Sequence, residues 1–581
     1  MNTLPFNLSA IPWPLRILLR KICKLPLLET WYSEWHQQEQ PLQQESAMAF
    51  LNYVLKRIGR PYHVQHQGVV SDIPAKGPVV IVANHPLGGL EGMILAQHFL
   101  QYRPDLKVVT NKLLLRFPEF AQLFIGVDIL GRQRDNRQSL RDLNDHVSQG
   151  GAVLIFPAGT VGKFNWRNKR VDDIEWHTTA AKVALRHDAW CLPVHVEGRN
   201  SRLFYASAWI HKRLRTLLLP RAMLERTTRP INITVGRPLQ LAEAGLGSAR
   251  AATDYLRVTT ELIGHDCIAS QAEVDPRPEI SSMAPPLSLD YLREYELIRQ
   301  GERVVFCVPY DALGPLQIHL ATERERTFRA SGEGTGKAMD IDRFDPHYLH
   351  LIAWDFSTHQ LIGAYRAFRL SDAIESDKKK DLYSRSLFRY PDSFLKSFSG
   401  AIEVGRSFVT EAYQRDPRAL DLLWRGLGAL MMKNPDCHTF IGCVSISGNY
   451  APQVRSLLHD TLLAGFSVDQ QLRQQVTPRR RFNTSPTPLS AELLANLANV
   501  SAINKLLGHA GLDVRVPVLI RHYLALNGGF IDFSVNSNFS DSLDGLIVVD
   551  LRQAPARYLK RYLGEQGQTV FQQQWRPSHV A

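Results

Sequence analysis

Val79-Val-Ile-Val-Ala-Asn84-His85-Pro-Leu-Gly-Gly-Leu-Glu91, continuing through Gly92 into MILAQHFL, decides how the first half of the chain is read. Its apolar, largely β-branched opening predicts a strand buried on both faces, followed by a Pro/Gly turn and an apolar helix. That order puts His85 at the carboxyl end of a strand, where open α/β sheets hold their ligands. A lone histidine there is more often structural. Glu91, six residues on across the turn, changes the weighting. A carboxylate so placed can fix one imidazole nitrogen in a single tautomer, leaving the other to take a proton from an attacking hydroxyl.

Outward from this unit, VVIVAN, AVLIFPAG, CLPVHVEG and INITVG alternate with helix-like segments, the pattern of a largely parallel sheet. Residues 264–289 collect Pro, Ser and acidic residues without apolar period and read as a linker, taken as 266–289. Beyond it RVVFCVPY, LHLIAWD, QLIGAYRAFRL, AIEVGRSFV, HTFIGCVSIS and GLIVVDL read as six strands, with helices near 312–329, 416–433 and 451–464. The fold class is therefore α/β, as two tandem domains spanning 46–265 and 290–581. A length of 581 residues requires such a division, because one core does not serve so long a chain. With 44% hydrophobic and 21% charged residues, the composition excludes disordered and collagen-like chains.

The net charge is +12, and it is unevenly spread. Residues 1–275 hold 33 Lys and Arg against 24 Asp and Glu, and the stretch 201–237, with HKRLR, holds eight basic residues and one acidic. Such an excess suggests an anionic partner. The six cysteines form neither a disulfide framework nor a metal-finger spacing, so reduced thiols and no metal are expected. Residues 1–45 mix Trp13, Trp31 and leucines with Arg16, Arg20, Lys21 and Lys24, without the cleavage site of a secretory signal. This segment is expected to lie on an anionic membrane surface. An amphipathic helix packed on its own domain is the competing reading.

At Asn84-His85 the chain resembles the glycerolipid acyltransferases, whose first motif is Asn-His, four residues, then Asp. Here the acid is Glu91, one position later. Gly126-Val-Asp-Ile-Leu-Gly-Arg132, Phe156-Pro-Ala158-Gly159-Thr160 and Leu192-Pro-Val194 follow in the family's order, so the resemblance covers about residues 50–240. It implies His85 and Glu91 as catalytic residues and Arg132, Gly159, Thr160 and Lys163 as acceptor-binding ones. Members that acylate phosphate-bearing acceptors carry Glu where this chain has Ala158, which speaks against lysophosphatidic acid as acceptor. Arg132 and Lys163 are candidates for an acceptor carboxylate or phosphate, with solvated surface cations as the plainer reading.

In the second half, Arg324-Glu-Arg-Thr-Phe328, Asp340-Ile-Asp342-Arg-Phe-Asp345, Gly363-Ala-Tyr-Arg366 and Glu403-Val-Gly-Arg406 put charged residues on or beside strands. An unpaired buried charge is costly, so mutual pairing and a polar pocket are expected. The order resembles that of acyl-homoserine-lactone synthases and the related ornithine-lipid N-acyltransferases, both of the GNAT-like class. The resemblance implies transfer of an acyl group from a phosphopantetheine thioester to an amine. Glu403 is the expected base, and Arg324 and Phe328 complete the site. Asp342 and Asp345 are expected on the acceptor's cationic end, and Arg366 or Arg406 on its carboxylate. DLLWRGLGALMM, with Arg425, Gly426 and Gly428, resembles the glycine-bearing helix start that receives the donor. Arg479, Arg480 and Arg481 form a basic cluster on an expected loop, either a dock for an acidic acyl carrier protein or a solvated charge run.

Together the halves resemble the bifunctional ornithine lipid synthases. That resemblance implies N-acylation of ornithine by 3-hydroxyacyl carrier protein in the second domain and O-acylation of the lyso-aminolipid in the first. It implies no bound cofactor, an acyl carrier protein partner and a peripheral place on the cytoplasmic face of the bacterial inner membrane. The alternative is a lysophospholipid acyltransferase fused to an N-acyltransferase for glycine, glutamine or lysine. Nucleic acid is not expected as a partner, because aromatics are not interleaved with the basic runs.

Overall fold

The computed structural model describes residues 17, 20–37, 46–68, 70–127, 136–165, 170–201, 204–206, 218–225, 229–264, 288–484 and 489–575. They divide into two units, bounded as Met1–His265 with Pro488–Arg515, and Asp266–Thr487 with Val516–Ala581. Arg132, the HKRLR run and most of the expected linker lie outside the described residues.

The first unit is built on a seven-stranded sheet. In order across it run Tyr62–His66, Ile231–Val235, Trp190–Glu197, Val79–Ala83, Ala152–Ile155, Lys107–Asn111 and Phe124–Val127. Every pairing is parallel except that of Trp190–Glu197 with Ile231–Val235. Val79–Ala83 is fully buried because parallel neighbours flank it on both sides. The helix Leu90–Leu100 follows and turns Ile94, Leu95 and Phe99 into the core.

The segment expected on a membrane is described in part, over residues 17 and 20–37. Helix Leu25–Gln37 buries Tyr32 and Trp35 in the unit's own core, with ring centroids 6.2 and 5.2 Å from Phe50. Arg20 pairs with Glu29 at 2.5 Å. Tyr32 and Trp35 are thus committed to that core, while Trp13, Arg16 and the rest of residues 1–16 lie outside the described residues.

The expected single span 290–581 is also interrupted. Residues 488–515 belong to the first unit, where helix Val500–His509 buries Ile503, Leu506 and Leu507 and is capped by Asn499, which accepts from Ala502 N. His509 Nδ1 meets the Tyr255 hydroxyl of helix Ala249–Ile263 at 2.6 Å. The visible signal is Asn483-Thr-Ser-Pro-Thr-Pro488, a turn-forming run whose composition does not say where the chain goes next.

The second unit carries an eight-stranded sheet, two strands more than expected. Its order is Glu296–Gln300, Arg303–Pro309, Leu349–Asp355, Gln360–Arg369, Ala401–Val409, Thr439–Ile446, Ser542–Asp550 and Gly529–Asn536. All neighbours are antiparallel except Ala401–Val409 and Thr439–Ile446. That parallel pair is in register only over 401–404 and 439–442. Its closeness requires a glycine, since a Cβ on Gly442 would stand 2.0 Å from the Val404 carbonyl oxygen. Beyond it the first strand shifts register against Gln360–Arg369, with Arg406 at φ +48°. A bulge of this kind bends a strand out of the ladder, and the two strands part.

Gly426 and Gly428 sit in the middle of helix Pro417–Lys433, not at its start. Their buried places serve close packing: Cβ atoms would meet Val305 Cγ1 at 2.7 Å and the Tyr562 carbonyl oxygen at 2.3 Å. The helix begins at Pro417, capped by Asp416. Gly428→Ala gains about 1 kcal/mol of helix propensity but drives a methyl into backbone, at a cost of about 1–3 kcal/mol. The substitution is expected to lower the urea midpoint of the second unit, and an unchanged or raised midpoint would refute the packing role.

Candidate active sites

In the first unit the Asn84 side chain spans two strands, donating to the Val196 carbonyl at 3.0 Å and accepting from Val196 N at 2.6 Å. This fixes the end of Val79–Ala83 and the turn after it. Gly88, at φ +108°, lets the turn fold back over the helix start, where Leu87 N and Gly88 N donate to Glu91 Oε1 at 2.8 and 2.7 Å. The same oxygen stands 3.1 Å from His85 Nδ1, a close ionic contact whose angle falls short of a directed hydrogen bond. The longer spacing and longer acid thus bring the pair together. Glu91 is fully buried. Burial raises its pKa, but the His85 ring and the two N–H groups outweigh that and hold it below the ordinary glutamate value.

The turn is held from outside as well. His85 N donates to Asp173, whose Oδ2 also accepts from Trp176 Nε1 at 2.9 Å. Burial pushes the Asp173 carboxyl up against those bonds. The imidazole lies against Phe156, centroids 4.5 Å apart, with a sixth of its side chain exposed. Gly159, at φ +64°, closes the Phe156 turn, and Thr160 and Lys163 are exposed beside it. A cavity of about 750 Å³ opens next to the His85 turn, lined by Asn84, Pro86, Asp173, Arg60, Arg199 and Glu225 among others, though not by the imidazole itself.

The second unit pairs its charges as expected, and more completely. Arg324 is bidentate to Asp345 at 3.0 and 2.9 Å, and Arg366 Nη1 reaches Asp342 at 2.8 Å and Asp345 at 3.2 Å. Asp340 Oδ2 receives Arg324 Nε at 3.0 Å and Arg406 Nε at 3.1 Å as ionic contacts. Three guanidinium groups meet three carboxylates. Arg324, Arg366, Asp340 and Asp345 are all at most 3% exposed. Asp342 and Asp345 therefore neutralise the protein's own arginines, where a substrate cation was expected, and Arg366 is not free for a substrate carboxylate. Burial raises the Asp345 pKa, but Arg324 and Arg366 more than reverse it and hold it well below the carboxylate range.

Glu403 also differs from expectation. It is 3% exposed, and its oxygens accept from the Tyr348 hydroxyl at 2.5 Å and from Ser384 Oγ and N at 2.5 and 3.2 Å. Burial raises its pKa against those bonds. It does not line the cavity of about 490 Å³ that opens where the parallel strands part. Phe328 and Arg406 do line it, with Glu333, Tyr383, Cys443 and Asp544. Motif reading passes over Glu333 and Asp544; the signal for the first is an acid set between glycines in Ser331-Gly-Glu-Gly-Thr-Gly336. Arg479, Arg480 and Arg481 are exposed after Thr477–Pro478, Arg480 paired with Asp541 at 2.8 Å and Arg479 Nε donating to the Arg385 carbonyl at 2.7 Å.

Comparison with known proteins matches residues 48–269 to the family described as Acyltransferase and residues 324–425 to the Acetyltransferase (GNAT) domain. A glycine N(alpha)-acyltransferase of Phocaeicola vulgatus is 30% identical over 253 residues, covering 41% of this chain and 76% of that protein. The chain belongs to its family. It is an acyltransferase that joins two acyltransferase domains, as bifunctional ornithine lipid synthase-like proteins do. A lyso-glycine lipid O-acyltransferase of the same organism is 30% identical over 184 residues, 29% of this acyltransferase and 62% of that protein. An L-ornithine N(alpha)-acyltransferase of Agrobacterium fabrum is 25% identical over 320 residues, 53% of this chain and 98% of its own length.

The charge network makes a prediction about acid. A carboxylate whose folded pKa is depressed stabilises the fold fully above its unfolded pKa of about 3.9 and loses that contribution as pH falls below it. Asp345→Ala is expected to cost about 3–5 kcal/mol at neutral pH and to flatten the acid limb of stability, as read by urea denaturation from pH 7 to pH 3. A loss below about 1 kcal/mol would show that the pairing is not structural.

Proposed function

We propose that the second domain transfers a 3-hydroxyacyl group from acyl carrier protein to the α-amine of an amino acid, ornithine in the first instance, and that the first domain esterifies the resulting 3-hydroxyl. The observation that carries this is the likeness of one chain to both an N-acyltransferase and a lyso-lipid O-acyltransferase of a single organism. The product of the amide-forming step carries the hydroxyl that the ester-forming step consumes.

In the first domain, Glu91 holds Nδ1 of His85, and Nε2 takes the proton of the acceptor hydroxyl. The oxygen attacks the thioester carbonyl, a C–O bond forms, the C–S bond breaks, and the imidazolium proton goes to the departing thiolate. The buried Ala158, where phosphate-binding members of the resembled family carry Glu, suits an acceptor without glycerol phosphate. An anionic membrane at the cytoplasmic face suits a basic first half and lipid products; among the described residues no helix is long and apolar enough to cross a membrane. Arg479–Arg481 remain the proposed dock for the carrier protein.

Glycine is a second reading of the amine, favoured by the higher identity to the glycine enzyme, 30% against 25% for the Agrobacterium ornithine enzyme. Ornithine is favoured by a match spanning 98% of that protein. Purified protein supplied with 3-hydroxyacyl and acyl carrier proteins is expected to convert ornithine to a monoacylated and then a diacylated product by mass spectrometry, with glycine as the competing amine. Acylation of lysophosphatidic acid with no amide formed would overturn the proposal.

A further inference from the structure

An amine attacks a thioester only when neutral, so the second domain needs a group that takes the ammonium proton inside its cavity. Glu403 does not line that cavity, and its oxygens already accept from Tyr348 and Ser384. Glu333 is open to it.

The loop carrying Glu333 is held in place from both ends. Gly332, Gly334 and Gly336 have φ of +72°, +96° and +76°, which side chains rarely adopt. Ser447 Oγ donates to the Gly332 carbonyl and Ser540 Oγ to the Gly334 carbonyl, each at 3.1 Å. On the helix side the buried Glu325 accepts from Thr335 N at 2.9 Å, Thr335 Oγ1 at 2.8 Å and Gly336 N at 3.0 Å. This bracing holds the loop that brings Glu333 to the cavity wall. The charged and titratable groups that face it come from three further segments: Asp544 on Ser542–Asp550, Arg406 on Ala401–Val409, and Tyr450 after Thr439–Ile446. Tyr383, Cys443, Tyr413, Tyr523 and Asp416 line the same cavity. Asp544 is itself held, accepting from Asn536 Nδ2 at 2.8 Å and Ser542 Oγ at 2.7 Å.

We propose that Glu333 is the base of the amide-forming reaction, taking one proton from the acceptor ammonium in the cavity where the parallel strands diverge. The inference rests on the N-acyl transfer proposed above. The ammonium yields a proton to the Glu333 carboxylate, and the neutral amine's lone pair attacks the thioester carbonyl. The C–N bond forms, the C–S bond breaks, the departing thiolate takes the second amine proton, and Glu333 returns its own to solvent. The surroundings favour that distribution: burial first, then the charge of Asp544, push the Glu333 carboxyl up to about 8 against the pull of Arg406. In a poorly solvated cavity, the neutral carboxyl–amine pair is preferred to the ion pair.

Two measurements on the full chain test this. With an acyl carrier protein thioester and ornithine or glycine, Glu333→Gln is expected to lower kcat by a factor on the order of 10²–10⁴ with little change in donor KM. The wild-type kcat/KM is expected to rise with pH to a midpoint near 8, a dependence the variant lacks. A variant within threefold of wild type, or an unchanged profile, overturns the assignment. The second readout needs no substrate. A carboxyl whose folded pKa lies above its unfolded value loses stability as pH rises between the two, so the wild-type Tm should fall relative to Glu333→Gln from pH 5 to pH 9. Parallel Tm curves place the group at its ordinary value and overturn the proposal. A wild type that acylates no amine but shows diverging Tm curves contradicts the proposed function while sustaining the raised pKa on which the base role depends.

Discussion

Arg324, Arg366 and Arg406 lie inside the second unit, and none of them could stay there without a carboxylate. Desolvating a guanidinium costs several kcal/mol, which a well-placed counter-charge offsets and an apolar neighbour does not. Asp340, Asp342 and Asp345 supply the counter-charges from one short segment, Asp340-Ile-Asp-Arg-Phe-Asp345. That segment ties helix Leu316–Ala330, which carries Arg324, to the strands that carry Arg366 and Arg406. The network reaches the cavity through Arg406, whose left-handed backbone conformation costs about 1–3 kcal/mol for a side-chain residue. With its charges spent on one another, the network is scaffold, and the groups left for chemistry are those at the cavity wall.

A comparable division of labour governs the first unit. Asn84, Asp173 and two backbone N–H groups hold the turn that presents the His85 ring. In both units a glycine permits the decisive geometry. Gly88 lets the turn reach the helix start, and Gly442 lets two parallel strands approach before they diverge.

Much of this was legible in the sequence. The apolar run before His85 marked a central strand, because only a strand covered on both faces is apolar throughout. The Asp and Arg residues set beside predicted strands foretold the buried pairs. An amphipathic stretch carries no record of whether its partner is lipid or its own core, and in helix Leu25–Gln37 Tyr32 and Trp35 serve the core. Spacing marks Glu403 as an acid in an ordered motif but does not show that its oxygens accept from Tyr348 and Ser384. Glu333 stands out less, because a single acid in a glycine loop has no periodicity and its meaning depends on strands far along the chain. The excursion of residues 488–515 was invisible for the same reason.

In the proposed sequence one chain performs two successive acyl transfers, and His85 serves the second. The direct measurement is the lipid profile, by mass spectrometry, of a host without amide-linked amino acid lipids that expresses either the wild-type chain or His85→Ala. Diacylated amino acid lipid is expected from the wild type, and from the variant the monoacylated form alone. Diacylated lipid from His85→Ala at the wild-type level would contradict it.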